Sequence, residues 1–381
     1  MSSNQRLPNP FRRTLKSSHQ PYVRTNAFQI IPVVQELLEM NQIKWPTGFN
    51  KEDFVGNGNY GAVCLDSSSS TVVKFPHKGC EEAIRIEIKI YERFEQHGGH
   101  AGLLRYLGPY ESGLRLELAS NYGLRRHLQD RGSEIASEQR LRWCQQIACA
   151  LAFVHSKGVI HGDLHGGNIF LDGDLNAKVG DFAGSSLDGS PLLIAVTASH
   201  RYPGRLLSKQ ADIFALGSTL FEVTCGQTPY DGLPDKEIKD LFEKSKFPET
   251  KGRLGPIGDI IAGCWQGKYR SVDKVTKCIE GMSLLFKICS EANHMFSYSI
   301  SMQSSRKHPL LFQDNNINRC DIGNWVAHTL LDREIITSVV TWQWNIPSVA
   351  SWAISNCCGT ASLHNLSVFP FHWRSVRTRT D

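Results

Sequence analysis

The segment 161–168, HGDLHGGN, followed from Asp181 by DFAG, constrains this 381-residue chain more than any other stretch. It sets an aspartate, an asparagine and a second aspartate at fixed intervals. Asp163 and Asn168 lie five apart, and Asp181 follows eighteen after Asp163. Oxygen-bearing side chains so spaced suit a base near an incoming hydroxyl and two oxygen ligands for Mg²⁺ on a nucleotide. A lone Asp in a Gly-rich turn is usually a structural turn residue. Here a glycine loop and a lysine stand upstream, which weighs against that plainer explanation.

The pattern before this segment is strand-rich. FVGNGNYGAVCL, a serine-bearing tip at 66–70 and TVVKFP read as two strands joined by a turn. Residues 81–94 read as a helix with Ile84, Ile88 and Tyr91 on one face, and 103–107 and 114–118 as two further strands. Leu141, Cys144, Ile147, Ala148, Leu151 and Val154 then mark one face of a helix. The stretch 212–225, DIFALGSTLFEVTC, is apolar on most sides and stops at Gly226, so it is expected to be a buried helix with a glycine stop. Strands first and helices later predict an α+β protein with a small β-rich lobe followed by a larger helical lobe.

Gly56-Asn57-Gly58-Asn59-Tyr60-Gly61 has the form G-x-G-x-x-G. Glycines let backbone N–H groups approach phosphate oxygens with no Cβ in the way. A dinucleotide-binding loop would run straight into a helix. Here Ala62-Val63-Cys64-Leu65 reads as a strand, which fits a flap between two strands.

These motifs resemble the protein kinases, whose catalytic loop reads H-R-D-L-x-x-x-N and whose metal loop reads D-F-G. The resemblance covers about residues 50–280, and D-I-F-A-L-G from Asp212, GQTPYDG and CWQGKYR extend it. It implies a bilobal kinase-like fold and transfer of phosphate from ATP, with Mg²⁺, to a protein substrate, most readily to Ser or Thr. By resemblance, Gly56, Gly58 and Gly61 cover the phosphates and Val63 covers the adenine. Lys74 pairs with the phosphates and is oriented by Glu87, with Glu92 as second choice. Leu116 guards the adenine pocket, and Glu117 and Ala119 offer backbone groups to the adenine edge. Asp163 takes or orients the hydroxyl proton, Asn168 and Asp181 ligate Mg²⁺, and His161 packs under the loop.

The chain also departs from that pattern. Gly162 replaces the Arg that would bind an activation-loop phosphate, so activity is expected not to need phosphorylation at Thr197 or Ser199. His165 replaces the Lys that touches the transferred phosphate in Ser/Thr kinases. Ala183 replaces the Gly of D-F-G, with Gly184 one place on, and Tyr202-Pro203 is all that resembles A-P-E. HGDLHGGN also resembles the corresponding loop of aminoglycoside and choline phosphotransferases. A small-molecule phosphotransferase and a non-catalytic kinase-fold binding module therefore stand as alternatives.

Composition excludes other classes. Charged residues make up 21% and hydrophobic ones 41%, as in an ordinary globular protein. Residues 1–50 hold six Lys/Arg against two acids, and 281–381 eight against six, so the middle lacks the basic signature of nucleic-acid binding. Eleven scattered cysteines show no C-x-x-C or zinc spacing, and most, such as Cys144, Cys149 and Cys225, read as buried thiols in a reducing compartment. No signal peptide or membrane span is readable, which predicts an intracellular protein, cytoplasmic or nuclear. Oligomeric state is not encoded in any of these patterns. Residues 1–49 are expected to be an arm, disordered over 1–25 with one short helix over 32–40. The stretch 281–381, with five of the eight tryptophans but no period, is expected to be irregular.

Overall fold

The computed structural model describes residues 44–194 and 196–284. The expectations for 1–25, for a helix over 32–40 and for the tail beyond 284 fall outside the described residues.

Five strands form one antiparallel sheet: β1 (Phe54–Asn57), β2 (Gly61–Asp66), β3 (Thr71–Pro76), β4 (Tyr106–Tyr110) and β5 (Gly113–Glu117), in the order β1-β2-β3-β5-β4. Helix α1 (Glu81–Glu95) buries Ala83, Ile84, Glu87, Ile90, Tyr91 and Phe94, a stripe at helical spacing, and packs against β3, β4 and β5. Trp45, Phe49 and Phe54 close the other side of the sheet over Ala62, Cys64 and Phe75. Packing on the sheet therefore reaches back to Trp45, before the expected start at residue 50.

One strand differs from its expectation. Residues 103–107 read as a strand, but β4 begins at Tyr106. Leu103 and Leu104 are buried instead at a bridge to Val179, where the Leu104 N–H donates to the Val179 carbonyl at 3.0 Å. Both leucines are used to join the sheet lobe to the helical lobe.

The second lobe contains α2 (Leu124–Arg131), α3 (Ser137–Ser156), α4 (Lys209–Cys225), α5 (Asp235–Glu243), α6 (Pro256–Trp265) and a last helix over 272–284. Helix α4 is buried almost all round, as its apolar sequence requires, and ends at Gly226 in the left-handed region. Its start is three residues earlier than expected, because Ser208 Oγ caps the Ala211 N–H at 3.1 Å. Four short strands frame the 161–168 loop and the segment that begins at Asp181: β6 (Val159–Ile160), β7 (Ile169–Leu171), β8 (Ala177–Val179) and β9 (Ser186–Leu187). β7 pairs with β8 so that Ile169 faces Val179, and β6 pairs with β9. This register brings the end of the 161–168 loop beside the start of the segment at Asp181. Among the described residues no helix is long and apolar enough to cross a membrane.

Candidate active site

Lys74 sits in the middle strand β3 and is buried, so its ammonium needs partners. It finds two: Glu87 Oε2 at 2.7 Å and Asp181 Oδ1 at 2.5 Å. Glu87 is fully buried on α1, and its Oε1 accepts the Phe182 N–H at 3.0 Å. Glu81, Glu82 and Glu92 lie exposed on the same helix, which leaves Glu87 as the lysine's partner. Burial works against the charge on Lys74, but Asp181 and Glu87 outweigh it and raise its pKa above the usual lysine range. Burial also opposes ionisation of Asp181, yet the adjacent ammonium holds its carboxyl below the usual range. Glu87, buried and close to Asp181, is raised. Two carboxyls thus share one ammonium, and the site favours additional positive charge.

The 161–168 loop is held from below. Asp212, buried in α4, accepts the His161 and Gly162 N–H groups at 2.8 Å each, and His155 Nε2 lies at 2.8 Å from the same carboxylate. His161 Nε2 donates to the Gly180 carbonyl at 3.2 Å, and its Nδ1 accepts the Asp163 N–H at 3.3 Å. Those two bonds need the neutral ring, and burial lowers its pKa accordingly. His161 therefore packs under the loop, against Phe182, rather than moving protons. Asn168 turns its amide nitrogen to the Asp163 carbonyl at 2.9 Å, which leaves Oδ1 as its free acceptor. Asp163 Oδ1 is buried and accepts no hydrogen bond among the described residues.

A second buried carboxylate, Glu222, holds the other end of the loop. It accepts the Gly166 N–H at 3.0 Å and two bonds from Arg125, at 2.5 and 3.0 Å. A Cβ on Gly166 would lie 2.5 Å from this carboxylate, and one on Gly167 2.7 Å from the His165 ring. The two glycines of H-G-G-N thus make room for side chains that dock on the loop's own backbone. His165 Nδ1 accepts the Gly167 N–H at 2.9 Å, which points Nε2 to Asp163 Oδ2, 3.6 Å away.

The glycine loop joins β1 to β2 over this centre. Gly61 is required by the protein itself, since a Cβ there would lie 2.4 Å from the Phe75 carbonyl oxygen. Gly56 and Gly58 meet nothing closer than 3.6 Å, so packing does not require them. Their open faces suit the approach of a ligand, and a Cβ on Gly58 would stand 4.0 Å from Asp181 Oδ2. Val63 pairs across the sheet with Lys74. Leu116 is buried on β5, and the Glu117 N–H donates to the Arg105 carbonyl at 3.0 Å. That bond engages the Glu117 N–H, leaving its carbonyl as the backbone group it can offer. Ala119 follows just beyond the strand, half-buried.

The site thus sets a lysine–glutamate pair in the sheet lobe against three oxygen-bearing residues on the helical lobe. The family profile described as protein tyrosine and serine/threonine kinase matches residues 49–282. The chain belongs to the protein kinases. It is similar to the megakaryocyte-associated tyrosine-protein kinase of Rattus norvegicus, 28% identical over 241 residues, which is 59% of this chain and 51% of that protein. It is similar also to the calmodulin-binding receptor-like cytoplasmic kinase 3 of Arabidopsis thaliana, 29% identical over 247 residues, 58% of this chain and 48% of that one. The receptor tyrosine-protein kinase erbB-2 of Mus musculus matches over 151 residues at 29%, 36% of this chain and 12% of its own length. The chain thus spans about half, or less, of the length of these relatives.

In this kinase domain the departures from the family pattern have structural reasons. Gly162 has φ +79, and a Cβ there would meet Leu192 at 2.7 Å and Ile194 at 3.1 Å. Apolar side chains of the activation segment, the stretch that begins at Asp181, cover the place an arginine would leave by. The left-handed residue after Phe182 is Gly184, at φ +82, and Ala183 is buried without positive φ. Phe182 packs on Tyr91 and Phe94, which fixes the segment to α1. Ser199 is buried, with its Oγ 3.0 Å from His200 Nδ1, whereas Thr197 is exposed.

The sequence reading missed Glu222 and Arg125. The signal was present: two acids, Asp212 and Glu222, inside a helix buried all round require partners. The partners come from distant parts of the chain, so their identity was not readable.

Proposed function

We propose that the domain transfers the terminal phosphoryl group of ATP, with Mg²⁺, to a serine or threonine hydroxyl of a protein. The observation that carries this is the Lys74 ammonium shared by Glu87 and Asp181. Among the described residues no three His, Cys, Asp or Glu side chains converge as a metal site of their own. Mg²⁺ needs no such cage, since one or two carboxylates hold it together with substrate phosphates and water. Asn168 Oδ1 and the Asp181 carboxylate fit that role. The bound Mg-nucleotide supplies an electrophilic phosphorus and neutralises charge on the phosphate oxygens.

The remaining roles belong to the chain. Lys74 has the charge and burial to pair with phosphate oxygens, and Glu87 keeps it in place. Gly56 and Gly58 let the backbone approach, and Val63, Leu116, Glu117 and Ala119 line the base side. Asp163, with its free Oδ1, orients the acceptor hydroxyl and takes its proton. His165 stands beside this base, its Nε2 3.6 Å from Asp163 Oδ2. A tyrosine acceptor is the second reading, favoured by the names of two of the relatives.

Three measurements test this. ATP with Mg²⁺ should raise the melting temperature. Labelled phosphate should pass to a generic protein and to Ser/Thr peptides, and fail in Asp163→Asn. Transfer to tyrosine peptides alone overturns the acceptor, and transfer only to aminoglycosides or choline overturns the protein substrate. ATP binding without any transfer leaves a binding module.

A further inference from the structure

Arg93 lies near the end of α1, six residues beyond Glu87, and plays no part in the site described above. Its guanidinium touches two other elements at once. Nη2 donates to Asp188 Oδ2 at 2.9 Å and Nη1 to Asp188 Oδ1 at 3.3 Å, a paired geometry. Nη1 also donates to the Lys157 carbonyl at 3.2 Å. Asp188 directly follows β9, in the segment that begins at Asp181, and its N–H donates to the Gly158 carbonyl at 2.9 Å. Lys157 and Gly158 form the turn that leads through β6 into the 161–168 loop.

One side chain thus spans the three stretches that bring the site together: α1 with Glu87, the turn before Asp163, and the segment after Asp181. The turn is shaped for it. A Cβ on Gly158 would lie 2.5 Å from Asp188 Oδ1, so only glycine admits the carboxylate at this place. Asp188 itself is held at φ +52, a conformation an aspartate adopts with a local reason. The Arg93 side chain is 31% exposed and that of Asp188 58%, so the pair is open to solvent and to salt.

We propose that Arg93 is a positioning residue: with Asp188 and Gly158 it clasps the activation segment to α1 and to the root of the catalytic loop, without a phosphate. The kinetic part rests on the phosphotransfer reading; the clasp itself does not. An exposed pair is weak by itself, so its effect is a change in how often the segment is in register, not a loss of fold.

The test uses the full chain. Arg93→Ala, Asp188→Asn and Gly158→Ala should each lower kcat about threefold to tenfold, with KM for ATP and peptide changed less than about twofold, as expected for a loss of alignment rather than of binding. Arg93→Lys, with one point of contact in place of a fork, should fall between. The exchanged pair Arg93→Asp with Asp188→Arg should regain part of the loss. Amide hydrogen exchange over 185–190 should quicken in the three single variants, whether or not phosphate is transferred. Unchanged exchange in both Arg93→Ala and Gly158→Ala overturns the clasp. Faster exchange with unaltered kcat overturns the positioning role. A wild type that transfers no phosphate, while these variants still lose protection, removes the phosphotransfer reading and retains the clasp.

Discussion

The two loops that meet in the cleft are built in opposite ways. The 161–168 loop is anchored at both ends by buried carboxylates: Asp212 on His161 and Gly162, and Glu222 on Gly166. The 56–61 loop is closed by one internal backbone bond, Gly58 N–H to the Gly61 carbonyl, and tied to His77, whose N–H donates to the Tyr60 carbonyl at 3.0 Å and whose ring meets the Gly58 carbonyl, with no buried charge holding it among the described residues. Its residues 57–59 are exposed. A base must keep its distance to the reacting atoms, and misplacement by an ångström is costly. A cover over phosphates must open for the nucleotide to enter and leave. The difference follows from those two tasks.

The contrast can be broken most directly at the base. Asp163→Asn should cut turnover by about 10²–10⁴-fold while leaving the melting temperature near wild type, because Oδ1 supports no internal bond. Melting well below wild type would show that Asp163 is structural. Next in size is Asp212→Ala. It strands the His161 and Gly162 N–H groups, and denaturant unfolding should show a loss of about 3–5 kcal/mol. A loss below about 1 kcal/mol would mean the loop is not anchored there.

Within the glycine loop the positions should separate. Gly61→Ala forces a shift against the Phe75 carbonyl and should cost about 1–3 kcal/mol. Gly58→Ala should stay within about 0.5 kcal/mol in stability and weaken ATP binding. Equal stability costs at both would erase the distinction drawn between them.

A pH series sharpens the anchor at Glu222. Burial raises its pKa, but His200 and the Arg125 guanidinium outweigh burial and hold it below the usual glutamate range. A carboxyl depressed in the folded state stabilises above its unfolded pKa, and that contribution fades as pH falls below the usual value of about 4.3. Wild type should therefore lose stability on acidification below that point more steeply than Glu222→Gln, measured by thermal unfolding. Parallel curves would contradict the anchor. The smallest effect is expected at Thr197, exposed and facing no arginine at Gly162: Thr197→Ala should keep activity within about twofold. A large loss restored by Thr197→Glu would refute activity independent of phosphorylation.

Much of this arrangement was legible before any coordinates. A serine-bearing turn between two strand-like runs marked β2 and β3, helical spacing marked α1 and α3, and an apolar run with a glycine stop marked α4. Glu87 was chosen among four glutamates near one helix and is the one that reaches Lys74. The strand expected at 103–107 was misplaced because apolar leucines serve equally in a strand or a bridge between lobes, and local pattern does not tell them apart. That Ser199 is buried and Thr197 exposed was not legible, because sequence carries no burial for a lone hydroxyl in a loop.

By itself the sequence determined the order of elements and the kinds of group that line the cleft. Periodicity and residue chemistry are local properties, and a lysine, three oxygen-bearing residues and a glycine loop at these spacings limit the chemistry available. Only the tertiary structure decided which groups restrain which. It placed Arg125 on Glu222, Arg93 on Asp188, and Leu192 and Ile194 over Gly162. Those pairs lie far apart along the chain or on separate elements. Their energies depend on burial and distance, which exist only once the lobes have packed.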